Sequence, residues 1–242
     1  MEKFPFLVFK DRKSLDFGLY IASKRAYDGA ARDVTYTSIP GRSGDLITDN
    51  GRYMNIDIPY EMTLLTDLET PISVRARHIK EWLLAEPGYF QLWDSYDSEY
   101  FRMASYKGGI SIDQQLREMG TVSLTFNCKP FKYAFPGQAV VTFTKQGTLT
   151  NPEAFPSAPY IKVFGSGTVT LQINGSAFLL KDIDEYVELD FEFLNAYKGT
   201  VAKNHLVSGA DMSSFHFQPG SNAISWVGSV TKLEIIPRWC SL

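Results

Sequence analysis

The sequence predicts a mainly β protein of two domains, the first with one α-helix and the second a β-sandwich. Aromatic residues make up 14% of the 242-residue chain, which also contains 18 glycines and 12 prolines, and this composition favours strands and turns over helical bundles. A single segment has helical periodicity, whereas the second half shows short alternating strands about every 8–12 residues, separated by turn signals. We place the domain boundary between residues 135 and 136.

The first domain, residues 1–135, is predicted to be a sandwich or barrel of strands. Alternating or apolar segments predict these strands at residues 4–9, 15–21, 34–39, 53–64, 89–93, 100–106 and 119–129. Residues 23–33 are polar and rich in alanine, and are interpreted as a loop. Asn50-Gly51 predicts a tight hairpin turn, because this dipeptide favours the backbone geometry that joins adjacent antiparallel strands.

One amphipathic helix is predicted over residues 71–86. Thr70 is its expected N-cap, Pro71 its first residue, and Pro87-Gly88 ends it. The apolar stripe consists of Ile72, Ala76, Ile79 and Leu83, widened by Trp82. This spacing places the stripe on one helix face, so the helix is expected to pack that face on a sheet, with His78 on a flank turned towards solvent.

The second domain, residues 136–242, is predicted to be an all-β sandwich. Residues 151–174, NPEAFPSAPYIKVFGSGTVTLQIN, are interpreted as the join between the two halves. Pro156 and Pro159 cannot continue a strand ladder, so we expect them to stiffen this join. Gly165-Ser166-Gly167 is predicted to be a hairpin turn between two strands.

Charge and cysteine content argue against several classes of protein. The chain has 24 basic and 27 acidic residues, and a formal net charge of −3 gives no general attraction to nucleic acid or anionic membranes. No apolar run approaches the ~18 residues that span a bilayer, and the N-terminus becomes charged too soon for a secretion signal. Cys128 and Cys240 lack zinc-ligand spacing, so we expect two buried free thiols in a reducing cytoplasm.

No group of residues has the pattern of a catalytic centre. Asp94, Asp97 and Glu99 lie close together but lack the order of a calcium-binding loop, and are interpreted as turn residues. The three histidines have no nucleophile at a useful spacing. We therefore predict no catalytic residues, no metal site and no cofactor.

Three aromatic residues in the second half are candidates for carbohydrate binding. Trp226, Trp239 and Tyr197 carry rings that can stack on a sugar, as in β-sandwich lectins. Core packing is the alternative role for Trp226, because it shares an alternating strand with Ile224.

The order and spacing of many short motifs resemble the distal tail proteins of siphophages, over almost the whole chain. In the second half the matching motifs are Asn151-Pro152, FPSAPYI at 155–161, VFGSG at 163–167, Ile173-Asn174-Gly175, YVELD at 186–190, NAYK at 195–198, PGSNAISW at 219–226 and IPRW at 236–239. In the first half they are the Phe-rich start, Leu19-Tyr20-Ile21, IPGRSGDL at 39–46, and the helix followed by Gly88-Tyr89-Phe90.

This resemblance implies a structural virion protein at the tail tip, assembled in the host cytoplasm. Members of the family form a homohexameric ring, in which a tail-tube-like N-terminal domain builds the ring and a galectin-like C-terminal sandwich projects outward. The implied partners are the tail-tube protein, the tail-tip hub or tail-associated protein, and adhesion or receptor-binding proteins. DNA would pass through the ring channel without specific binding, and no membrane is involved. The galectin sugar-binding motif His-x-Asn-Pro-Arg has no counterpart in this sequence.

Two polar segments are candidates for contacts between subunits of such a ring. Residues 23–33 and 39–49 have mixed charge and lack core residues. We expect Arg25, Arg32 and Arg42 within them to take part in these contacts.

Two other functions remain open. The first is a carbohydrate-binding module that attaches a particle to the host cell wall. The second is a hydrolase of cell-wall sugars, which needs paired carboxylates across a cleft. A solution mass that is a multiple of 27.3 kDa would favour the ring, and binding to a glycan array would favour the module.

Overall fold

The computed structural model describes residues 4–22, 29–67, 69–116 and 118–242. The chain divides into two compact units, Met1–Lys132 with Leu242, and Tyr133–Ser241. Both units are built mainly of strands, and the α-helix found in the described residues lies in the first unit. The predicted fold class is therefore confirmed.

Residues 151–174 lie wholly inside the second unit, so their interpretation as the join between two halves is wrong. Pro156 and Pro159 lie in a connection between two strands of that unit. This connection is held by Ser157, which exchanges two backbone hydrogen bonds with Phe217 at 3.0 and 2.9 Å. The separate roles expected for the two domains stay predictions.

Among the described residues, the first unit contains one α-helix, a 3₁₀ turn at Ser14–Phe17 and ten strands. In chain order they are β1 (Leu7–Phe9), β2 (Arg12–Lys13), β3 (Leu19–Ile21), β4 (Arg32–Thr37), β5 (Leu46–Tyr53), β6 (Ile56–Leu65), α1 (Ile72–Leu84), β7 (Phe90–Asp94), β8 (Tyr100–Tyr106), β9 (Asp113–Leu116) and β10 (Met119–Ala134), which runs two residues past Lys132.

A single antiparallel sheet carries the core of the first unit. Its order is β2-β1-β7-β8-β10-β6-β3, with β9 beside β10. Phe126 of β10 is fully buried, and its ring contacts those of Phe9, Tyr60 and Tyr106 at centroid distances of 5.0, 5.9 and 5.4 Å. Such edge-to-face contacts add to the hydrophobic stabilisation of a core, so Phe126 is its central side chain.

Helix α1 confirms the predicted apolar stripe and corrects its ends. The helix begins at Ile72 and ends at Leu84, one residue later and two residues earlier than predicted. Its buried residues are Ile72, Ile79, Trp82 and Leu83. The N-cap position is Pro71, whose side chain has no acceptor for a capping hydrogen bond, so the role expected of Thr70 is wrong. Instead, the Asp67 carboxylate accepts a hydrogen bond from the Thr70 backbone at 2.6 Å.

Strands β4 and β5 form a two-stranded ribbon that is a sheet of its own. Asn50-Gly51, predicted to be a hairpin turn, lies inside β5, and the ribbon turns at residues 38–45 instead. Gly51 has φ of +73° beside a shift in register, so the dipeptide forms a β-bulge. The same backbone freedom that suits a tight turn also suits a bulge.

The second unit contains ten strands and short 3₁₀ turns. The strands are β11 (Val141–Phe143), β12 (Gly147–Asn151), β13 (Tyr160–Ile173), β14 (Ser176–Ile183), β15 (Tyr186–Asp190), β16 (Asn195–Lys198), β17 (Val201–Ala202), β18 (Val207–Gly209), β19 (Gly220–Ile236) and β20 (Cys240–Ser241).

Two long strands, β13 and β19, pair with each other and pass through both layers of the second unit. The first half of β13 also pairs with β15, whereas its second half pairs with β14. In the same way, β19 pairs first with β12 and then with β11. Alternate residues of β13 are fully buried, among them Ile161, Val163, Leu171 and Ile173. These side chains fill the space between the layers, as expected for a sandwich.

Gly165-Ser166-Gly167 is a bend within β13, so the predicted hairpin turn is wrong. The register against β19 shifts on both sides of Gly165 and Ser166. A Cβ atom on Gly165 would lie 2.1 Å from the Ser229 carbonyl oxygen. The glycine therefore allows two backbones to approach closely at the point where β13 changes its neighbour.

The prediction of two buried free thiols is confirmed for Cys128 and Cys240, whereas the reducing compartment stays a prediction. Burial raises the pKa of the Cys240 thiol to about 12. Its thiolate is therefore scarce at neutral pH, and the thiol is unreactive.

Gly165→Ala is expected to lower the free energy of unfolding of the second unit by about 1–3 kcal/mol, because the new methyl group overpacks the crossing of β13 and β19. The measurement is urea unfolding followed by tryptophan fluorescence. Ser166→Ala, at the exposed neighbouring position, is the control and should change stability little. Equal stability of the two variants would contradict the account of the bend.

Candidate functional site

The ribbon of β4 and β5 presents apolar side chains to solvent. Tyr36 and Ile47 are directly opposite each other across the two strands, and they are 63% and 59% exposed. Leu46, next to the turn, is 50% exposed. An isolated two-stranded hairpin is marginally stable in water, and exposed apolar pairs of this kind mark an interaction surface. The ribbon is therefore a candidate assembly surface.

Ion pairs along the ribbon hold its two strands in register. The Arg32 guanidinium donates to the Asp49 carboxylate at 2.6 Å, and Arg52 donates to Asp33 at 2.6 Å. The hydrogen bond from Arg32 holds the pKa of the Asp49 carboxyl below its ordinary value. The charge of Arg32 is thus paired inside the ribbon. Its role there is to hold the two strands together, whereas the sequence predicted a contact with another subunit.

The tip of the ribbon, residues 38–45, carries charges of both signs. Arg42 and Asp45 are exposed there, and within the described residues neither forms an ion pair. Arg42 is therefore the predicted contact residue whose charge is available to a partner. Arg25 and residues 23–28 lie outside the described residues.

A row of alternating cations and rings crosses four strands of the second unit. The Lys232 ammonium lies 4.3 Å from the centroid of Phe164. Lys162 lies 5.2 Å from Phe164 and 3.8 Å from Tyr186, and Lys198 lies 5.3 Å from Tyr186. Each ring thus contacts two ammonium groups, which compete with any sugar for the ring faces. We call these five side chains the cation–aromatic row.

Carboxylates balance the lysines of this row. Glu188 is buried beside Lys162, at 3.8 Å, and accepts hydrogen bonds from the Tyr160 hydroxyl at 2.6 Å and the Gly199 backbone at 2.8 Å. Burial and the hydrogen bond to Glu188 raise the pKa of the Tyr160 hydroxyl, which therefore stays a donor. With its partners inside the chain, the row stiffens the sheet.

Asp190 and Arg238 form a two-pronged ion pair near the end of the same sheet. Both oxygens of Asp190 accept from Arg238 at 2.8 Å, and Asp190 is 4% exposed. Burial raises the pKa of Asp190, but the hydrogen bonds and charge of Arg238 lower it more, so the net pKa lies below its ordinary value. The pair ties β15 to the C-terminal segment of the chain.

The three aromatic candidates for sugar stacking do not share one surface. Tyr197 lies opposite Glu188, which is opposite Lys162 of β13, whereas Trp226 lies opposite Leu171 of β13. These two positions on β13 lie on opposite sides of the bend at Gly165-Ser166-Gly167. Trp239 is 6% exposed and packs against Phe217 at 5.8 Å. Sugar binding by these residues stays a prediction.

The acidic turn of the first unit includes one buried side chain. Asp94 is 1% exposed and accepts hydrogen bonds from the Tyr60 hydroxyl at 2.7 Å and the Tyr96 backbone at 3.0 Å. The second bond is turn chemistry, as predicted, and the first anchors the turn to the core. Tyr60 and Asp94 are 34 residues apart, so the period of side chains along the sequence does not predict their hydrogen bond.

Within the described ranges, no group of three or more His, Cys, Asp or Glu side chains is placed to hold a metal ion. No helix in that part of the chain is long and apolar enough to cross a membrane.

Solved structures of a phage hub protein and of a phage baseplate match nearly the whole chain. Dit (gp 19.1) of phage SPP1, described as a paradigm of the hub adsorption apparatus in phages infecting Gram-positive bacteria, has a TM-score of 0.77 and 13% identity, covering 99% of this chain and 100% of that one. The chain has the fold of a phage hub protein. The resemblance inferred from the sequence is thereby confirmed for the fold.

Two structures of the phage P2 baseplate in its activated conformation are also similar. The structure with Ca has a TM-score of 0.52 and 8% identity, covering 97% of both chains. The structure with Sr has the same TM-score and identity, covering 96% of this chain and 97% of that one. No protein-family model and no curated protein matches the chain.

Arg238→Gln is expected to lower the free energy of unfolding of the second unit by about 3–5 kcal/mol at pH 7, because it leaves the buried Asp190 carboxylate unpaired. The folded pKa of Asp190 is depressed, so its stabilisation is present above its unfolded pKa of about 3.9 and is lost as pH falls further. The difference between wild type and variant should therefore shrink at pH 3.

Urea unfolding at pH 7, 5 and 3 measures this difference, with Lys145→Gln as an exposed control. A difference that stays constant down to pH 3 would show that the ion pair is not its source.

Proposed function

We propose that this protein is a structural component of a phage tail tip, where it forms a homohexameric ring between the tail tube and the host-adhesion apparatus. The observation that carries this proposal is the likeness to SPP1 Dit over 99% of the chain, because it covers both units. The expected neighbours are the tail-tube protein on one side and hub and adhesion proteins on the other. DNA would pass through the channel without specific contacts.

The ribbon supports an assembled state. Its strands make a separate two-stranded sheet, and the opposed pair Tyr36 and Ile47 stays more than half exposed. Folding of such a ribbon is favoured when another surface covers its apolar face, since burial of each large side chain contributes roughly 1.5–3 kcal/mol. A neighbouring subunit supplies that surface in a ring, because every copy presents the same face to the next.

The same reasoning assigns different roles to the two units. The first unit carries the ribbon and would build the ring. In the second unit, the lysines of the cation–aromatic row have carboxylate partners within the chain. Such a sheet suits a rigid projecting domain, galectin-like in shape, that holds adhesion proteins.

Replacement of both Tyr36 and Ile47 by Ser is expected to shift the protein from a hexamer, six times 27.3 kDa, towards the monomer. The loss of two apolar contacts per interface weakens association by roughly tenfold or more. Light scattering after size-exclusion chromatography measures the mass over a range of concentrations. The control is Val227→Ser, which removes one equally exposed apolar side chain from the second unit.

A wild-type protein that is monomeric at every concentration, alone and mixed with tail-tube protein, would overturn the ring. Circular dichroism shows whether the double variant keeps its strands, so that loss of assembly is distinguished from loss of fold.

A further inference from the structure

A cleft of about 390 Å³ lies between α1 and the turn that precedes β3. Its floor is formed by Phe17 and Trp82, whose rings stack at 4.5 Å and 12°. The indole nitrogen of Trp82 donates to the Phe9 carbonyl at 2.9 Å, which fixes the ring. A cleft of this volume can hold a small ligand or several side chains of a partner protein. Its floor is rigid because the hydrogen bond of Trp82 fixes the indole ring.

Charged side chains of both signs surround this floor. Arg12 and Glu81 form no ion pair within the described residues, although the Arg12 guanidinium lies 4.4 Å from the centroid of Phe17. The Arg75 Nε atom is buried and has no hydrogen-bond partner. The Arg75 guanidinium also forms an ion pair with the exposed Asp67 at 3.6 Å and donates to the Asp16 carbonyl at 3.4 Å. Asp16, also in the lining, accepts a bond from the Lys13 backbone at 3.2 Å.

The tip of the ribbon has the complementary pattern. Arg42 and Asp45 are three positions apart, both exposed, and the apolar Leu46 follows directly. A carboxylate and a guanidinium on one short turn match a cleft that offers a guanidinium and a carboxylate. Within the described residues neither Arg42 nor Asp45 forms an ion pair with the cleft of its own chain, so both charges are available to a second copy.

We propose that the ribbon tip of one subunit docks in the cleft of the next, with Asp45 against Arg12 and Arg42 against Glu81. Leu46 then covers the edge of the Phe17–Trp82 floor, and Arg75 contributes a further positive charge near Asp45. The inference rests on the proposed ring, and it identifies the cleft as the site at which one subunit binds the next. Mixed charges give the contact one register, because a shifted tip would bring like charges together.

Charge exchange tests the first pair. Asp45→Arg and Arg12→Asp should each weaken assembly by about tenfold, because each brings like charges together. The double variant Asp45→Arg with Arg12→Asp should recover most of that loss, and the same holds for Arg42→Glu with Glu81→Arg. The dissociation constant is measured by light scattering. The controls are Glu99→Arg and Lys181→Glu, exposed charges that belong neither to the tip nor to the lining of the cleft.

Cross-linking provides a second measurement that does not depend on affinity. Asp45→Cys protein is mixed with Arg12→Cys protein and treated with a short bis-maleimide reagent. Because each chain carries only one introduced thiol and the native Cys128 and Cys240 are buried, a cross-linked dimer joins two different copies. The expected result is a dimer band from this mixture and none from Glu99→Cys mixed with Arg12→Cys.

The outcomes separate the two proposals. A hexamer whose dissociation constant is unchanged by Asp45→Arg and Arg12→Asp, with no specific cross-link, overturns the docking and leaves the ring standing. A wild-type protein without any assembled form overturns both. Weakening by each single reversal, recovery by the exchange and the specific cross-link together establish the docking.

Discussion

A two-stranded ribbon cannot bury its own apolar face, and this constraint leaves apolar side chains of the first unit exposed. The main sheet of that unit closes its core around Phe126 without help from the ribbon. Strands β4 and β5 hold each other through backbone bonds and the Arg32–Asp49 pair, yet Tyr36 and Ile47 remain in solvent. The core of the unit is therefore buried, whereas the ribbon leaves an exposed apolar surface.

The second unit, in contrast, pairs its buried charges within the chain. Glu188 and Asp190 are nearly buried, and both have cationic partners within the chain, at Lys162 and Arg238. Desolvated charges are costly unless they are paired and hydrogen-bonded, and these meet both conditions. A sheet with its charges satisfied internally resists deformation.

Local sequence signals predicted the kinds of element better than their connections. Period-two alternation located the buried face of β13, and the apolar stripe located α1, because side-chain direction follows directly from backbone period. Asn50-Gly51 and Gly165-Ser166-Gly167 were both predicted to be turns, and both lie inside strands. Glycine permits a left-handed residue or a close backbone approach, and the sequence does not say which of these a given site requires.

The sequence by itself determined the fold class, the helix face, the two free thiols and the resemblance to phage distal tail proteins. Each of these depends on local period, composition or the order of motifs along one chain. Tertiary structure decided that residues 151–174 lie within the second unit, that Arg32 pairs within the ribbon while Arg42 stays exposed, and that Arg12 and Glu81 line the same cleft. Those facts depend on contacts between residues far apart in sequence, whose pairing no local pattern records.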